Sequence, residues 1–404
     1  MARIAVIVSN PCTGDARVIK MARAAAAVGH DVHVFATSGA NASPFEQSHG
    51  VTFHRLEWRP SGLLQQKWWM AAPRRMSRKL ANALVKRLTP FVKYSLFRNI
   101  FSEHVAAIRP DIVHAHDLIC LPAGHAAAVA CGAKLVYDAH ELETHRNPPL
   151  PFLQRRLVGY VEAKYARLAN AVITVGRLVS HELSTHIRRS DVNVLYNAPG
   201  LDPSPRNIRS DLRLHPETPL LLYVGKVTEG RGVGEIIALM PRMPGVMFAT
   251  VGPCDMRART RLETQAEALG VASRFRILPP VPFEQVVGYI QGADLGLISV
   301  EPITLSYRYC MPNKLFELSF ANVPIIANKL DEIEMYLAEL GNGTVTDFDD
   351  KASLPYAIYR MLQAKHQYLL TPEKEALMHE KYSWDVQAAK LVAIYDQVLG
   401  KAPR

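Results

Sequence analysis

The chain lacks any apolar run approaching the roughly 20 residues that a bilayer-spanning helix needs, which argues against an integral membrane segment. Its 404 residues include only five cysteines, Cys12, Cys120, Cys131, Cys254 and Cys310, scattered and without a CxxC pair. That excludes a disulfide framework and a cysteine-based zinc site, and it predicts a reducing, cytoplasmic setting. The opening segment MARIAVIVSN has too short an apolar run for a signal peptide and no small-residue cleavage pattern after it, so it reads as a first strand. No GxGxxG follows that strand, so the dinucleotide-binding fingerprint is missing. Acidic residues are absent from one long window. Between Trp58 and Ser102 there are ten Lys or Arg and no Asp or Glu, so this window alone accounts for the formal net charge of +10.

What is present is an alternation of short apolar runs and amphipathic segments, over a length sufficient for two cores. Ile4 to Val8 form a buried-strand run. The loop SNPCTGD follows, with Asp15 as N-cap of a helix to about Val28, and Asp31 to Ala36 form a second strand. This order implies right-handed crossovers and a parallel sheet. The runs at 111–115 and 134–137 both end in polar residues: His114, His116 and Asp117 after one, Asp138, His140 and Glu141 after the other. Open parallel sheets bind ligands beyond the carboxyl ends of their strands, so two such clusters in succession point to a site. The HxH spacing also invites zinc, but the histidines alternate along a strand and no third ligand is near in sequence. A helix is expected over 156–168 and strands over 171–175 and 192–196. The turn-rich stretch from Asn197 to Pro205 divides the chain into an expected first domain, 1–200, and a second, 206–382. Residues 383–404 carry a last amphipathic helix.

The second half restarts the alternation with LLLYV at 220–224, then GKVTEGRG. Gly225, Gly230 and Gly232 let backbone approach a ligand, and Lys226 and Arg231 supply paired cations suited to a diphosphate. The stretch from Tyr307 to Asn328 reads as a loop, a short helix and a buried strand. Pro312 suits the first helical turn, Leu315, Leu318 and Ser319 share one face, and Asn322 ends the helix. Lys314 and Glu317, three apart, share a face near the helix N-terminus, where an anion is favoured and a carboxylate can take two ribose hydroxyls. The bland alternative is a solvated pair contributing about 0.2–0.5 kcal/mol. Asp347 and Asp349 form a DxD that reads as capping and surface charge, so no metal is expected.

In the basic window, Leu80, Leu84, Leu88 and Phe91 recur at helical spacing, with Trp68 and Trp69 nearby. A basic amphipathic helix with tryptophans suits an anionic membrane surface, here the inner face of the plasma membrane. A helical insertion packed on its own domain is the second reading. Nucleic acid is the third, and no nucleic-acid partner is expected.

PNKLFE with its helix and VPIIA resembles the donor-nucleotide segment of retaining GT-B glycosyltransferases of the family 4 type. The resemblance implies an α/β fold of two Rossmann-like domains facing each other across a cleft, with the last helix crossing back to the first domain. It implies sugar transfer from a nucleotide-diphosphate sugar, UDP- or GDP-linked, to a glycan or lipid-linked acceptor with retention, and family habit points to polysaccharide or lipopolysaccharide assembly. It assigns the phosphates and nucleoside to Gly14, Gly225, Lys226, Arg231, Pro312, Asn313, Lys314, Leu315 and Glu317. His116 would contact the transferring sugar, with His114 second, and Asp15, Asp138, His140 and Glu141 would line the acceptor side. Two departures stand out: the family's first Glu of a Glu-x7-Glu pair is Tyr309 here, and its Arg-then-Lys order is inverted to Lys226 and Arg231. Two other readings remain open: a sugar-nucleotide epimerase of the same shape, and a membrane- or nucleic-acid-binding protein with a vestigial cleft.

Overall fold

The structure, a computed structural model, describes residues 1–40, 42–58 and 94–401. The basic amphipathic segment expected to meet a membrane falls mostly on residues outside these.

The first half builds a sheet of eight strands: β1 (Arg3–Ile7), β2 (Asp31–Thr37), β3 (Phe45–Ser48), β4 (Val51–Leu56), β5 (Ile112–His116), β6 (Lys134–Ala139), β7 (Ala171–Thr174) and β8 (Val192–Val194). Their order is β3-β4-β2-β1-β5-β6-β7-β8, and all pairings are parallel except β3 with β4. The β3–β4 hairpin is not among the expected strands. Its turn is His49 and Gly50, both at positive φ, the pattern that two-residue hairpin loops require. The central strands are buried on both faces, which is why they read as continuous apolar runs. The covering helices used below are α1 (Ala16–Ala27), α2 (Asp117–Cys131), α3 (Phe152–Ala166) and α4 (Arg177–Ile187). Asp15 caps α1, its carboxylate accepting from the Val18 amide at 3.2 Å.

The second half forms an all-parallel sheet of β9 (Leu220–Val224), β10 (Met247–Val251), β11 (Phe275–Leu278), β12 (Leu295–Ile298), β13 (Ile325–Asn328) and β14 (Gly343–Thr346), in the order β11-β10-β9-β12-β13-β14. Its helices at the site are α5 (Val233–Leu239), α6 (Leu305–Arg308), α7 (Asn313–Phe320) and α8 (Asp331–Leu340). Pro312 is the N-cap of α7, one residue before the helix, and Asn322 takes φ 52° after it. The last helix, α9 (Trp384–Val398), crosses back: Leu391, Ile394 and Tyr395 are buried in a cluster with Ile4, Val6, Val18 and Val34 of the first half.

The two halves touch at named points. Arg23 pairs with Glu284 at 2.9 Å, and Asn197 Nδ2 donates to Asn313 Oδ1 at 2.7 Å. Ser306 Oγ accepts from the Leu142 amide at 3.3 Å. Glu332, at the start of α8, takes the amides of Arg177 and Leu178, the latter at 2.7 Å. α4 thus lacks a capping side chain of its own and has its first turn completed from the other half. Gly176 makes room for this, since a Cβ there would meet the Glu332 carboxylate at 3.0 Å.

Candidate functional site

The strand ends of the first sheet and the α6–α7 segment of the second enclose a cavity of about 310 Å³. Asp15, Arg17, His140, Glu141 and Asn197 line it from the first half, and Ser306, Tyr307, Cys310, Met311, Pro312 and Asn313 from the second. A neighbouring cavity of about 490 Å³ shares Asp15, Arg17, Asn197 and Asn313 and extends over Asn10, Thr13 and Gly14. Gly14 has open space where a Cβ would stand, so its own shape does not demand a ligand.

Behind the first wall lies a buried polar cluster. Arg17 grips Asp138 with two hydrogen bonds, Nε to Oδ2 at 2.8 Å and Nη2 to Oδ1 at 2.7 Å, and its third nitrogen donates to the Leu195 carbonyl. Burial opposes the charge on Asp138, but the Arg17 guanidinium and then His140 and His116 hold its carboxyl well below the ordinary range. His116 Nδ1 lies 3.0 Å from His140 Nε2 and 3.3 Å from Asp138 Oδ2. His140 Nδ1 faces Asp117 at 3.3 Å. Burial disfavours the imidazolium of His140, yet Asp117 and Asp138 outweigh it and raise its pKa to about 9. Asp117 itself sits at φ 63°, a left-handed conformation that a β5–α2 junction holds only under constraint. His114 is fully buried, with Nδ1 2.7 Å from the Tyr395 hydroxyl of α9 and its ring stacked 4.3 Å from that of His116. Burial and then His116 keep it neutral.

The structure places His116 and His114, the expected sugar contacts, away from the cavity surface. Both are 0% exposed and lie behind the wall. The imidazole at the wall is that of His140, whose side chain is 22% exposed. Asp138 is likewise buried and reaches the cavity only through Arg17 and His140. Arg17 was not anticipated. The available signal was Arg17 and Lys20 three apart in an otherwise apolar helical turn, since buried charges require partners.

Among the described residues, His114, His116 and Asp138 form a group close enough to hold a metal, with ligand atoms within 4.8 Å. The set does not suit a cation. Both Asp138 oxygens are taken by a guanidinium, His114 Nδ1 is taken by Tyr395, and the Arg17 charge adjoins the would-be ion. The DxD of 347–349 closes on itself instead, the Asp349 amide donating to Asp347 Oδ1 at 2.8 Å.

On the opposite wall the cations gather. Arg231 lies 5.9 Å over the Tyr307 ring, and Tyr307 lines the cavity. Lys314 is buried with Nζ 3.6 Å from the centroid of the Tyr223 ring, close under Gly225. Burial and then the Arg231 charge lower the Lys314 pKa to about 7, while burial raises that of Glu317, on the same helix face, to about 7. Lys20 of α1 donates to the Ala198 carbonyl and lies 4.7 Å from the centroid of the Trp384 ring; it too is lowered to about 7 by burial, and Glu317 is among the charges it feels. The solvated-pair reading of Lys314 and Glu317 therefore fails on burial. Lys226 is exposed; its carbonyl accepts from the Tyr223 hydroxyl at 3.1 Å. Leu315 is a core residue, 0% exposed, so its side chain faces no ligand. Tyr309 lines neither cavity and packs with Leu305 against the first half's core.

Comparison with known proteins bears on this arrangement. Residues 16–202 match the family model described as Glycosyltransferase Family 4. The D-inositol 3-phosphate glycosyltransferase of Thermobifida fusca is 25% identical over 382 residues, covering 87% of this chain and 82% of that protein. Sucrose-phosphate synthase from Thermosynechococcus elongatus superposes over 99% of this chain and 100% of its own, with a TM-score of 0.76 at 17% identity. HepE of Anabaena, solved with UDP and glucose, superposes over 98% and 100%, with a TM-score of 0.71 at 16% identity. Two α/β sheets meeting at a cavity and whole-chain likeness to these structures show the GT-B fold, and the match over residues 16–202 together with the named relatives supports a glycosyltransferase of the family 4 type.

Proposed function

We propose that the chain transfers a sugar from a nucleoside diphosphate sugar to a hydroxyl of a glycan or lipid-linked acceptor, with retention at the anomeric carbon. The observation that carries this reading is the convergence of Arg231, Lys314 and Glu317 beside the cavity, with a buried lysine whose charge is suppressed in the absence of an anion. A diphosphate supplies that anion. Arg231 and Lys314 hold it, with Lys226 at the rim and the amides at the start of α7 adding partial positive charge. Glu317 takes the ribose hydroxyls. His140, held protonated by Asp117 and Asp138, faces the sugar, and the acceptor enters along Asp15 and Glu141. The cations stabilise the departing diphosphate, whose oxygen takes the acceptor's proton on the face it leaves; this accounts for retention without a second carboxylate. No metal ion is required in this scheme. The complex of HepE with UDP and glucose supports the donor class.

Thermal shift against UDP-, GDP- and ADP-sugars tests the reading. A donor at about 100 times its dissociation constant adds roughly 2.7 kcal/mol of stability. Arg231→Ala is expected to abolish the shift, and an undiminished shift would remove the phosphate assignment. NMR of the product's anomeric proton decides retention. Epimer formation from a UDP-sugar without acceptor would replace transfer with epimerisation.

A further inference from the structure

Two buried basic side chains stand three apart on α1, and the transfer scheme leaves the second without a part. Arg17 grips Asp138 and donates to the Leu195 carbonyl at 2.8 Å. Lys20, 7% exposed, donates to the Ala198 carbonyl and lies beside the Trp384 ring. Those two partners mark the places where the chain crosses between the halves, the linker after β8 and the start of α9. The linker runs against α7 there. Asn197 bonds Asn313, and the Tyr196 ring stands 5.8 Å from that of Phe316, the residue before Glu317. A buried ammonium calls for an anion, and a carbonyl and a ring offer only partial charge. Lys20 feels two acids, Glu317 first and then Glu284. Glu284 already has Arg23 at 2.9 Å. The half-buried carboxylate of Glu317 takes no hydrogen bond from the described residues, and the charges it feels are those of Lys314 and then Lys20. Lys314 is turned away to the Tyr223 ring under Gly225.

We infer that Lys20 is a positioning residue for the donor's ribose: from the first half it supplies the counter-charge that keeps Glu317 of the second half an open carboxylate, with both oxygens free for the two ribose hydroxyls. This rests on the assignment of Glu317 to the ribose made above. An ionised carboxylate accepts two hydroxyl protons at once, whereas a protonated one must donate with one of its oxygens. Burial by itself favours the protonated form, and a neighbouring ammonium opposes it. Lys314 cannot fill that role in the loaded enzyme, because its charge goes to the diphosphate. Lys20 is the cation that remains. Its seat is made of the linker and of α9, so the nucleoside end of the donor site is complete only when both crossings between the halves are in place.

Lys20→Gln tests it, since the amide can still donate to the Ala198 carbonyl but carries no charge. Calorimetry at neutral pH with UDP and GDP, each beside its 2′-deoxy form, reads the outcome. The parent is expected to prefer the ribonucleotide. Lys20→Gln and Glu317→Gln should each lower that preference by roughly tenfold. Loss of the preference in Glu317→Gln with its retention in Lys20→Gln overturns the inference and leaves the ribose assignment standing. Equal weakening of both nucleotide forms in Lys20→Gln, with the preference intact, makes Lys20 a structural residue and also overturns it. A parent that makes no distinction, or binds neither nucleotide, removes the ribose assignment and the inference together. Should Lys20→Gln fail to fold, carbon-13 NMR of the lysine ε-carbons in the parent and in Glu317→Gln decides. The titration midpoint of Lys20 is expected to fall when the Glu317 charge is removed, and an unmoved midpoint overturns the pairing.

Discussion

At the scale of single residues, burial decides what the site can do. Burial and then the Arg231 charge lower the Lys314 pKa to about 7, and a bound diphosphate reverses that balance. Above about pH 8, Glu317 is already ionised, so donor binding should draw a proton onto Lys314 alone. The dissociation constant is expected to rise by up to about tenfold per pH unit between about pH 8 and pH 9. Calorimetry in two buffers of different ionisation enthalpy should register the proton uptake, and Lys314→Met should remove it. His140 gives a second pH dependence, in stability instead of binding. Its folded pKa is raised to about 9 from 6.5, so its contribution to stability is full below 6.5 and is lost as pH rises through about 9. The difference in urea midpoint between the parent and His140→Gln should therefore shrink on going from about pH 6 to about pH 10. Lys314 and Glu317 were legible in the sequence because three-residue spacing fixes a shared helix face. Their burial was not, since Tyr223 comes from a distant strand. The choice of His140 over His116 was invisible for the same reason: both follow strand ends, and only the third dimension shows which one stands behind the other.

At the scale of elements, the loops that present these residues depend on close approaches. Gly232 precedes α5 at φ 75°, and a Cβ there would meet the Ser299 side chain at 2.5 Å, while Ser299 Oγ donates to the Arg231 carbonyl at 2.6 Å. Sequence alone placed this glycine in a phosphate loop; its tightness comes from Ser299, just past the end of β12, which no local pattern reveals. The cap on α4 is a clearer case of missing information. The sequence shows Asp331, Glu332 and Glu334 only as acids after a strand end, yet Glu332 is 2% exposed and closes a helix belonging to the other half. Removing such a cap costs about 1 kcal/mol. Glu332→Ala is expected to lower the melting temperature by a few degrees, roughly 2–4 °C, and to speed hydrogen exchange at the Arg177 and Leu178 amides. Unchanged exchange there would mean that the contact does not persist in solution. Tyr309 belongs to this scale as well. The family pattern puts a carboxylate at this position, but here α6 leans on the first half and the tyrosine joins its core instead. Exchange of Tyr309→Glu should therefore cost stability before it alters sugar choice, and denaturant titration beside a donor panel separates the two.

At the scale of the whole molecule, α/β alternation and the crossover rule made the two parallel sheets legible, because strands buried on both faces leave continuous apolar runs. The β3–β4 hairpin escaped because β3 is a short polar edge strand and β4 alternates apolar with polar residues, so neither leaves a continuous apolar run. The return of the last helix was implied by resemblance only; nothing in the periodicity of 384–398 says which half it serves. The structure gives it a definite task, since Tyr395 bonds His114 inside the first half's polar cluster. Tyr395→Phe would leave that imidazole nitrogen buried without a partner, a loss of about 1–3 kcal/mol. Chemical denaturation should show it as a lower midpoint with an unchanged slope.

That same returning helix orders events during synthesis. The sheet of residues 3–194 leaves the ribosome first, but Leu391, Ile394 and Tyr395, which seal one of its faces, are translated almost last. Until they arrive, Ile4, Val6 and Val18 lack part of their cover, so the packing of the nascent first half is completed only by the far end of its own polypeptide.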